Sequence, residues 1–366
     1  MFYTRIIRPI FFKTDPEWIH HVIIKGLNVA SRIWPLNFWL EKFCLIRDPR
    51  LTVKISGLSL MNPVGLPAGF DKYVEAPYAH GMMGYGFAEL GSITYSEQPG
   101  NPKPRLWRIP KDKGLIVYYG LSNSGAQKSI ARLKNIRRRP TPLGVSIAPT
   151  TGLTIDQMAE DYLKSFILLH AYADFITLNV SCPNVASCDV FSQISFIKEL
   201  VEKIMQTVRA QKIVKNIFLK IGPDMKIEDM DQVIDVCVAN GITGIVATNL
   251  IKKREGITPQ SSVEQLNHPG GISGMLLQSK SDAVIKRIRE RAGDKLKIIG
   301  VGGIFSAEDA YRKIKLGASA VQVFTGFIYN GPFFIRQLNK DMIKLLERDG
   351  YKNISEAVGK DVVAKM

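Results

Sequence analysis

Apolar and polar positions along the chain fall into two textures. From Val64 onward, short apolar runs recur: Val64–Gly69, Phe87–Ile93, Leu143–Pro149, Phe175–Ser181, Asn216–Gly222, Gly244–Asn249, Lys297–Ile304 and Ala320–Gly326. Runs this short and this continuously apolar suit strands buried on both faces. Between most of them lie stretches with helical spacing, such as Ile155–His170, Ser195–Ala210 and Met275–Arg291. Strand and helix in alternation predict parallel strands with crossover helices, and eight such units predict a closed barrel.

The first 45 or so residues read differently. Asp15-Pro16 is a helix start, an N-cap carboxylate followed by proline at the first helical position. Ile19, Val22, Ile23, Leu27, Ala30 and Ile33 then recur at helical spacing until Trp34-Pro35 interrupts them. A second short segment carries Phe38, Trp39, Leu40 and Phe43. Two amphipathic helices rich in Trp and Phe, with Lys and Arg interspersed, suit a hairpin on a membrane interface. They equally suit a pair of helices packed on the main domain. A β-hairpin is expected from Leu51 to Leu60. The expected fold is an α/β (β/α)₈ TIM barrel, residues 46–366, behind an N-terminal helical extension, residues 1–45.

With 366 residues, 46% of them hydrophobic, the chain has enough apolar mass for one large barrel. Its net charge of +16 raises nucleic acid, an anionic membrane or an acidic substrate as partners. The basic residues are dispersed; the one tight run, Arg137-Arg138-Arg139, ends at Pro140 and reads as a solvated helix end. No aromatic–basic interleaving or recognisable module points to nucleic acid. Four cysteines without a CxxC pair argue against a disulfide framework or zinc site and for a reducing compartment. No stretch is long and apolar enough to span a bilayer, and no cleaved signal peptide is expected.

In barrels of this kind the reacting groups sit where strands end. Those ends read Ala68-Gly69-Phe70-Asp71-Lys72, Gly91-Ser92, Ser146, Asn179–Asn184, Lys220, Thr248-Asn249, Gly302-Gly303 and Phe324-Thr325. Lysines, amides and glycines dominate, without His or a carboxylate cluster, which disfavours a metal site and paired-carboxylate chemistry. Gly302-Gly303 ahead of a Ser306 N-cap, with Phe324-Thr325-Gly326 and Gly270–Gly274 at the same end, suits a phosphate at a helix N-terminus. The plainer alternative is that the glycines only allow a tight turn. Lys220, inside the run IFLKIG, needs an anionic partner if buried.

At AGFDK (Ala68–Lys72), QPGNPKPRLWR (Gln98–Arg108), LNVSCPN (Leu178–Asn184), KIGPD (Lys220–Asp224), ATN (Ala247–Asn249) and GVGGI (Gly300–Ile304) the sequence closely resembles dihydroorotate dehydrogenase. The likeness runs in order over nearly the whole chain. FFKTDPEWIH near the N-terminus resembles the quinone-using class. The resemblance implies an FMN-dependent oxidoreductase that turns a ring C–C bond into C=C and passes electrons to a quinone entering near Arg108. It further implies peripheral association with the cytoplasmic face of the inner membrane through residues 1–45. Carried over by position, it surrounds FMN with Ala68, Gly69, Lys72, Ser92, Ser146, Asn179, Lys220, Thr248, Gly274, Gly302, Gly303, Phe324 and Thr325. It puts Lys72, Asn179, Asn184 and Asn249 on the substrate ring and makes Cys182 the proton-abstracting base, beside Lys72.

Departures from the family pattern cluster in the pocket. Val117 replaces a substrate-binding Asn and Leu250 a Thr; Ser146 stands for an Asn, Phe324 for a Tyr, and Met275-Leu276 for a basic residue and Pro. Cys182 is the base of the soluble classes, where the quinone class has Ser. The pocket is therefore expected to be less polar, which leaves open a paralogue acting on a less polar ring. A flavin-free, phosphate-binding barrel lyase and an inactive binding module are the alternatives from other classes.

Overall fold

Every one of the eight apolar runs begins a strand of one closed barrel in the computed structural model, which describes residues 2–136, 139–182, 193–255 and 257–362. A hairpin of β1 (Val53–Ile55) and β2 (Leu58–Leu60) comes first. The barrel strands are β3 (Val64–Leu66), β4 (Phe87–Ile93), β7 (Leu143–Ile147), β8 (Phe175–Asn179), β9 (Asn216–Ile221), β10 (Gly244–Ala247), β12 (Lys297–Val301) and β13 (Ala320–Gln322). They pair in parallel in the order β10-β12-β13-β3-β4-β7-β8-β9, and β9 returns to β10. Most strands stop short of their apolar runs. Ala320–Gly326, for instance, is a strand only to Gln322, and Thr325 already opens the helix Thr325–Asn330. The residues left over at the strand ends are the ones that carry polar groups.

The floor of the barrel is aromatic because glycines make room for it. Phe87, Phe175 and Phe218 stand at or near the starts of their strands, with ring centroids 6.3 Å (Phe87–Phe175) and 5.7 Å (Phe175–Phe218) apart. A Cβ on Gly65 would meet Phe87 at 2.3 Å, and one on Gly144 would meet Phe175 at 2.2 Å. Small and large residues thus interdigitate. Above this floor the interior turns polar, with Glu89, Ser146, Thr177, Lys220 and Gln322 all buried.

The N-terminal segment is more helical than the sequence pattern suggests. A π-helical turn over Tyr3–Ile7 runs into α1 (Arg8–Phe12), ahead of α2 (Pro16–Arg32) and α3 (Trp34–Cys44). Asp15 caps α2, its carboxylate accepting from the Trp18 N–H at 2.7 Å. The break between α2 and α3 falls at Ile33, so Trp34 and Pro35 open the second helix rather than interrupt the first. The hairpin is packed on the main domain along one side and exposed along the other. Ile24 and Cys44 are buried, whereas Trp34 is 73% and Trp39 62% exposed.

A three-stranded antiparallel sheet, β11-β6-β5, was not legible in the apolar pattern; it joins β5 (Leu106–Ile109), β6 (Gly114–Val117) and β11 (Gly271–Gly274). Of the basic run, Arg137 and Arg138 lie outside the described residues, and Arg139 pairs with Asp174 at 3.1 Å.

Candidate active site

Polar side chains at the ends of β4, β7, β8, β9 and β10 lock together. Asn179, the last residue of β8, donates Nδ2 to Ser92 Oγ at 2.8 Å, and Ser92 Oγ lies 2.7 Å from Ser146 Oγ. Asn249 donates to Asn179 Oδ1 at 3.3 Å and to Ser181 Oγ at 3.1 Å. Ser181 in turn donates to the Lys220 carbonyl at 2.9 Å. Each amide has both a donor and an acceptor edge, so a chain of them fixes orientation as well as position.

Beside this web is a small cleft of about 80 Å³. Ala68, Lys220, Thr248, Asn249, Leu250, Gly274, Gly302, Gly303, Phe324 and Thr325 line it. Lys220 is buried and forms no ion pair among the described residues. An ammonium there calls for an anion from elsewhere. Gly303 and Ile304 also line the cleft, and their backbone N–H groups donate to no protein acceptor among the described residues. Gly303 has φ +68°, and a Cβ on it would sit 2.3 Å from the Gln278 Cβ, so the turn admits only glycine. Ser306 caps the helix that follows, accepting from the Asp309 N–H at 3.2 Å. Unpaired N–H donors at such a turn, together with a lone buried ammonium, fit the phosphate and the electron-rich edge of a flavin nucleotide.

Other expected residues lie apart from the cleft. Gly69, φ +102°, has open space where a Cβ would project. Lys72 lies with its Nζ 3.8 Å from the centre of the Tyr119 ring. Burial brings its ammonium down to about 8, opposed by the charge of Glu17. Val117 does not line the cleft; it sits in β6, paired with Leu106 and Gly271. Cys182 is buried two residues past the Val180 N–H, which donates to Lys220 O at 3.3 Å. The Tyr162 hydroxyl donates to Asn179 O at 2.7 Å and is pushed up chiefly by burial, then by the charges of Cys182 and Asp161. Asn184 lies outside the described residues.

The family model for dihydroorotate dehydrogenase matches residues 50–346. The chain belongs to the dihydroorotate dehydrogenase family. Among relatives is the dihydroorotate dehydrogenase (quinone) of Nocardia farcinica, 38% identical over 357 residues that cover 98% of this chain and 96% of that protein. The dihydroorotate dehydrogenase (quinone) of Gloeobacter violaceus is 38% identical over 356 residues, 97% of this chain and 98% of that protein. A solved structure of the Eimeria tenella dihydroorotate dehydrogenase in complex with ferulenol superposes with a TM-score of 0.82 at 29% identity, covering 95% of this chain and 96% of the other.

For a member of this family, sequence reasoning overlooked Gln322, Ser273 and Leu277, which also line the cleft, and Glu89, which accepts from Gln322 Nε2 at 2.7 Å. A polar residue inside the run ASAVQVFTG was the available signal for Gln322. Ser273 lies inside the Gly270–Gly274 segment expected at this end, and Leu277, in the short turn Met275–Leu277 that follows it, carried no signal of its own. Among the described residues no group of His, Cys, Asp and Glu could hold a metal ion.

Proposed function

We propose that the protein is an FMN-dependent dihydroorotate dehydrogenase of the quinone-linked kind. The observation that carries this reading is Lys220, a buried ammonium with no acidic partner among the described residues, in the same cleft as the unpaired N–H groups of Gly303 and Ile304. Bound there, FMN would accept a hydride from the substrate and hand the electrons on to a quinone. Gly302, Gly303 and Thr325 would hold its phosphate; Ala68, Gly69, Ser92, Ser146, Thr248, Gly274 and Phe324 would enclose the rest. Lys220 would balance negative charge on the ring.

Substrate falls to Lys72, Asn179, Asn184 and Asn249 in this reading, with Cys182 as base. A thiol gives up its proton far more readily than a serine hydroxyl, so Cys182 needs less help to act. Residues 1–45 form the quinone and membrane end, and residues 46–366 the flavin barrel. Aromatic contacts favour quinone access on that side: Phe324 meets Phe70 at 5.4 Å, and Phe70 meets His20 of α2 at 5.3 Å. Arg108, over the Phe12 ring at 4.9 Å, donates to Thr14 O at 2.6 Å and adds a cation beside this strip. No helix among the described residues is long and apolar enough to cross a membrane. Exposed Trp34, Trp39 and Phe43, with Lys42 5.3 Å from the Trp39 ring centre, favour peripheral association; the cytoplasmic face of the inner membrane is proposed from the resemblance alone.

The test is reduction of the bound flavin. Purified protein is expected to release FMN on acid treatment, to bleach with dihydroorotate and to recolour with a quinone. Well-folded protein without flavin would overturn the reading.

A second reading, a less polar ring substrate, is favoured by Leu250. It lines the cleft with an apolar side chain, and its N–H engages Asn249 Oδ1 at 2.9 Å. Bleaching by a less polar cyclic substrate, with little by dihydroorotate, would support it.

A further inference from the structure

Glu17 belongs to α2, outside the barrel, yet its carboxylate is buried and ringed by basic side chains. Arg105 approaches it with Nη2 at 2.8 Å and Nε at 3.1 Å. Lys103 Nζ stands at 3.4 Å and His21 Nε2 at 3.5 Å. Arg105 is buried too, and its Nη1 donates to Pro99 O at 2.9 Å and Asn101 O at 3.1 Å. With all three nitrogens engaged, the guanidinium has one geometry. That geometry sets its carbon 4.9 Å from the centre of the Tyr119 ring.

Lys72 uses the same ring, at 3.8 Å. Tyr119 is buried, and its hydroxyl has no partner among the described residues, so the residue serves here through its π face. Two cations sharing one ring repel each other. The carboxylate that offsets this repulsion comes from the N-terminal helix.

We propose that Glu17 is a positioning residue for Lys72, acting through Arg105 and the Tyr119 ring, so that seating of α2 governs the charge at the substrate end of the barrel. The inference rests on the reading of Lys72 as a substrate-binding group. The charged and titratable neighbours of Lys72 are Glu17 and Asp71, which favour its ammonium, and Arg105, which disfavours it. His20, also on α2, is held well below its ordinary value by burial, then by Lys72 and His21, and so stays neutral. A lysine is charged below its pKa, and burial has already brought Lys72 down to about 8. Taking away the Glu17 charge lowers it further, so the ammonium is lost at a lower pH.

The experiment compares wild-type holoprotein with Glu17→Gln and Glu17→Asp. Competitive acetylation with acetic anhydride from about pH 6 to 10, read by peptide mass spectrometry, titrates Lys72 whether or not any substrate is turned over. Glu17→Gln is expected to lower that titration by roughly half a unit or more, and Glu17→Asp to keep it near wild type. In flavin reduction by dihydroorotate, Glu17→Gln is expected to raise KM on the basic side with kcat within about two-fold, a split a general loss of packing would not produce. Should Glu17→Gln fold poorly, Tyr119→Leu removes the shared ring and is expected to move Lys72 in the same direction. A Lys72 titration unchanged in Glu17→Gln overturns the inference. A shifted titration with no reduction by dihydroorotate in either protein supports the coupling and overturns the substrate assignment.

Discussion

Asn249 donates its side-chain nitrogen to Asn179 Oδ1 at 3.3 Å while its own Oδ1 accepts from the Leu250 N–H at 2.9 Å. The two amides that resemblance assigns to a polar ring are thus engaged with each other, and the next residue offers no hydroxyl. A ring with several polar edges would leave groups unpaired here, at about 1 to 3 kcal/mol each. Leu250→Thr with Val117→Asn is expected to raise the rate of flavin reduction by dihydroorotate about tenfold or more. Leu250→Thr should supply the larger share, since Leu250 lines the cleft and Val117 does not. Efficient turnover of dihydroorotate by the unaltered protein would remove the case for a less polar substrate.

In the proposed reading, flavin retention depends on the turn at Gly302-Gly303. Gly303→Val sets a branched side chain where a Cβ alone would come within 2.3 Å of Gln278, at a φ of +68°. The variant is expected to purify colourless, and the acid-released flavin measures it. Lys220→Met leaves the turn intact and is expected to keep the flavin but hold it less tightly. Full flavin occupancy in Gly303→Val would show that the phosphate binds elsewhere.

Cys182 carries the proton in the proposed reaction. Cys182→Ala is expected to keep the flavin and slow its reduction by about two orders of magnitude, the usual cost of losing a general base. Cys182→Ser should retain part of the rate, with its optimum moved to higher pH. Stopped-flow reduction of the bound flavin decides this, and a wild-type rate in Cys182→Ala puts the base elsewhere.

The exposed aromatic face of α3 should govern vesicle binding. Trp34→Ser with Trp39→Ser removes two large side chains that are 73% and 62% exposed, so the barrel should be untouched. Sedimentation with anionic phospholipid vesicles is expected to fall several-fold while flavin content stays level. Equal sedimentation of the two proteins would separate this face from any membrane role.

The barrel floor should dominate stability. Phe175→Ala empties the space between Phe87 and Phe218 and is expected to cost about 3 to 5 kcal/mol, read as a lowered Tm. Gly144→Ala should also destabilise, because its Cβ would meet Phe175 at 2.2 Å. A melting curve unchanged in Phe175→Ala would mean the floor repacks.

The barrel was legible from local pattern because each strand is buried on both faces and so appears as a continuous apolar run, Val64 and Ala320 alike. The Asp15 cap, the Ser306 cap and the Gly302-Gly303 turn were legible for a similar reason: each is a short-range device whose partner lies within a few residues. The sheet of β5, β6 and β11 was not, since Val117 finds Gly271 across four intervening barrel strands and neither strand alternates long enough to announce itself. The position of Val117 followed from that pairing, so its distance from the cleft was hidden as well.

The sequence by itself determined the order of eight strands, the helical start of the chain and the residue types gathered at the strand ends, because those depend on burial pattern and local backbone geometry. Tertiary structure alone decided which of those residues meet. Glu17 reaches Arg105 across 88 positions, and Asn249 reaches Asn179 across 70. Closing the barrel brings ends of distant strands within hydrogen-bond reach, and docking of α2 adds a carboxylate from outside it. No periodicity encodes such contacts; they exist only once the hydrophobic floor has set the strands in register.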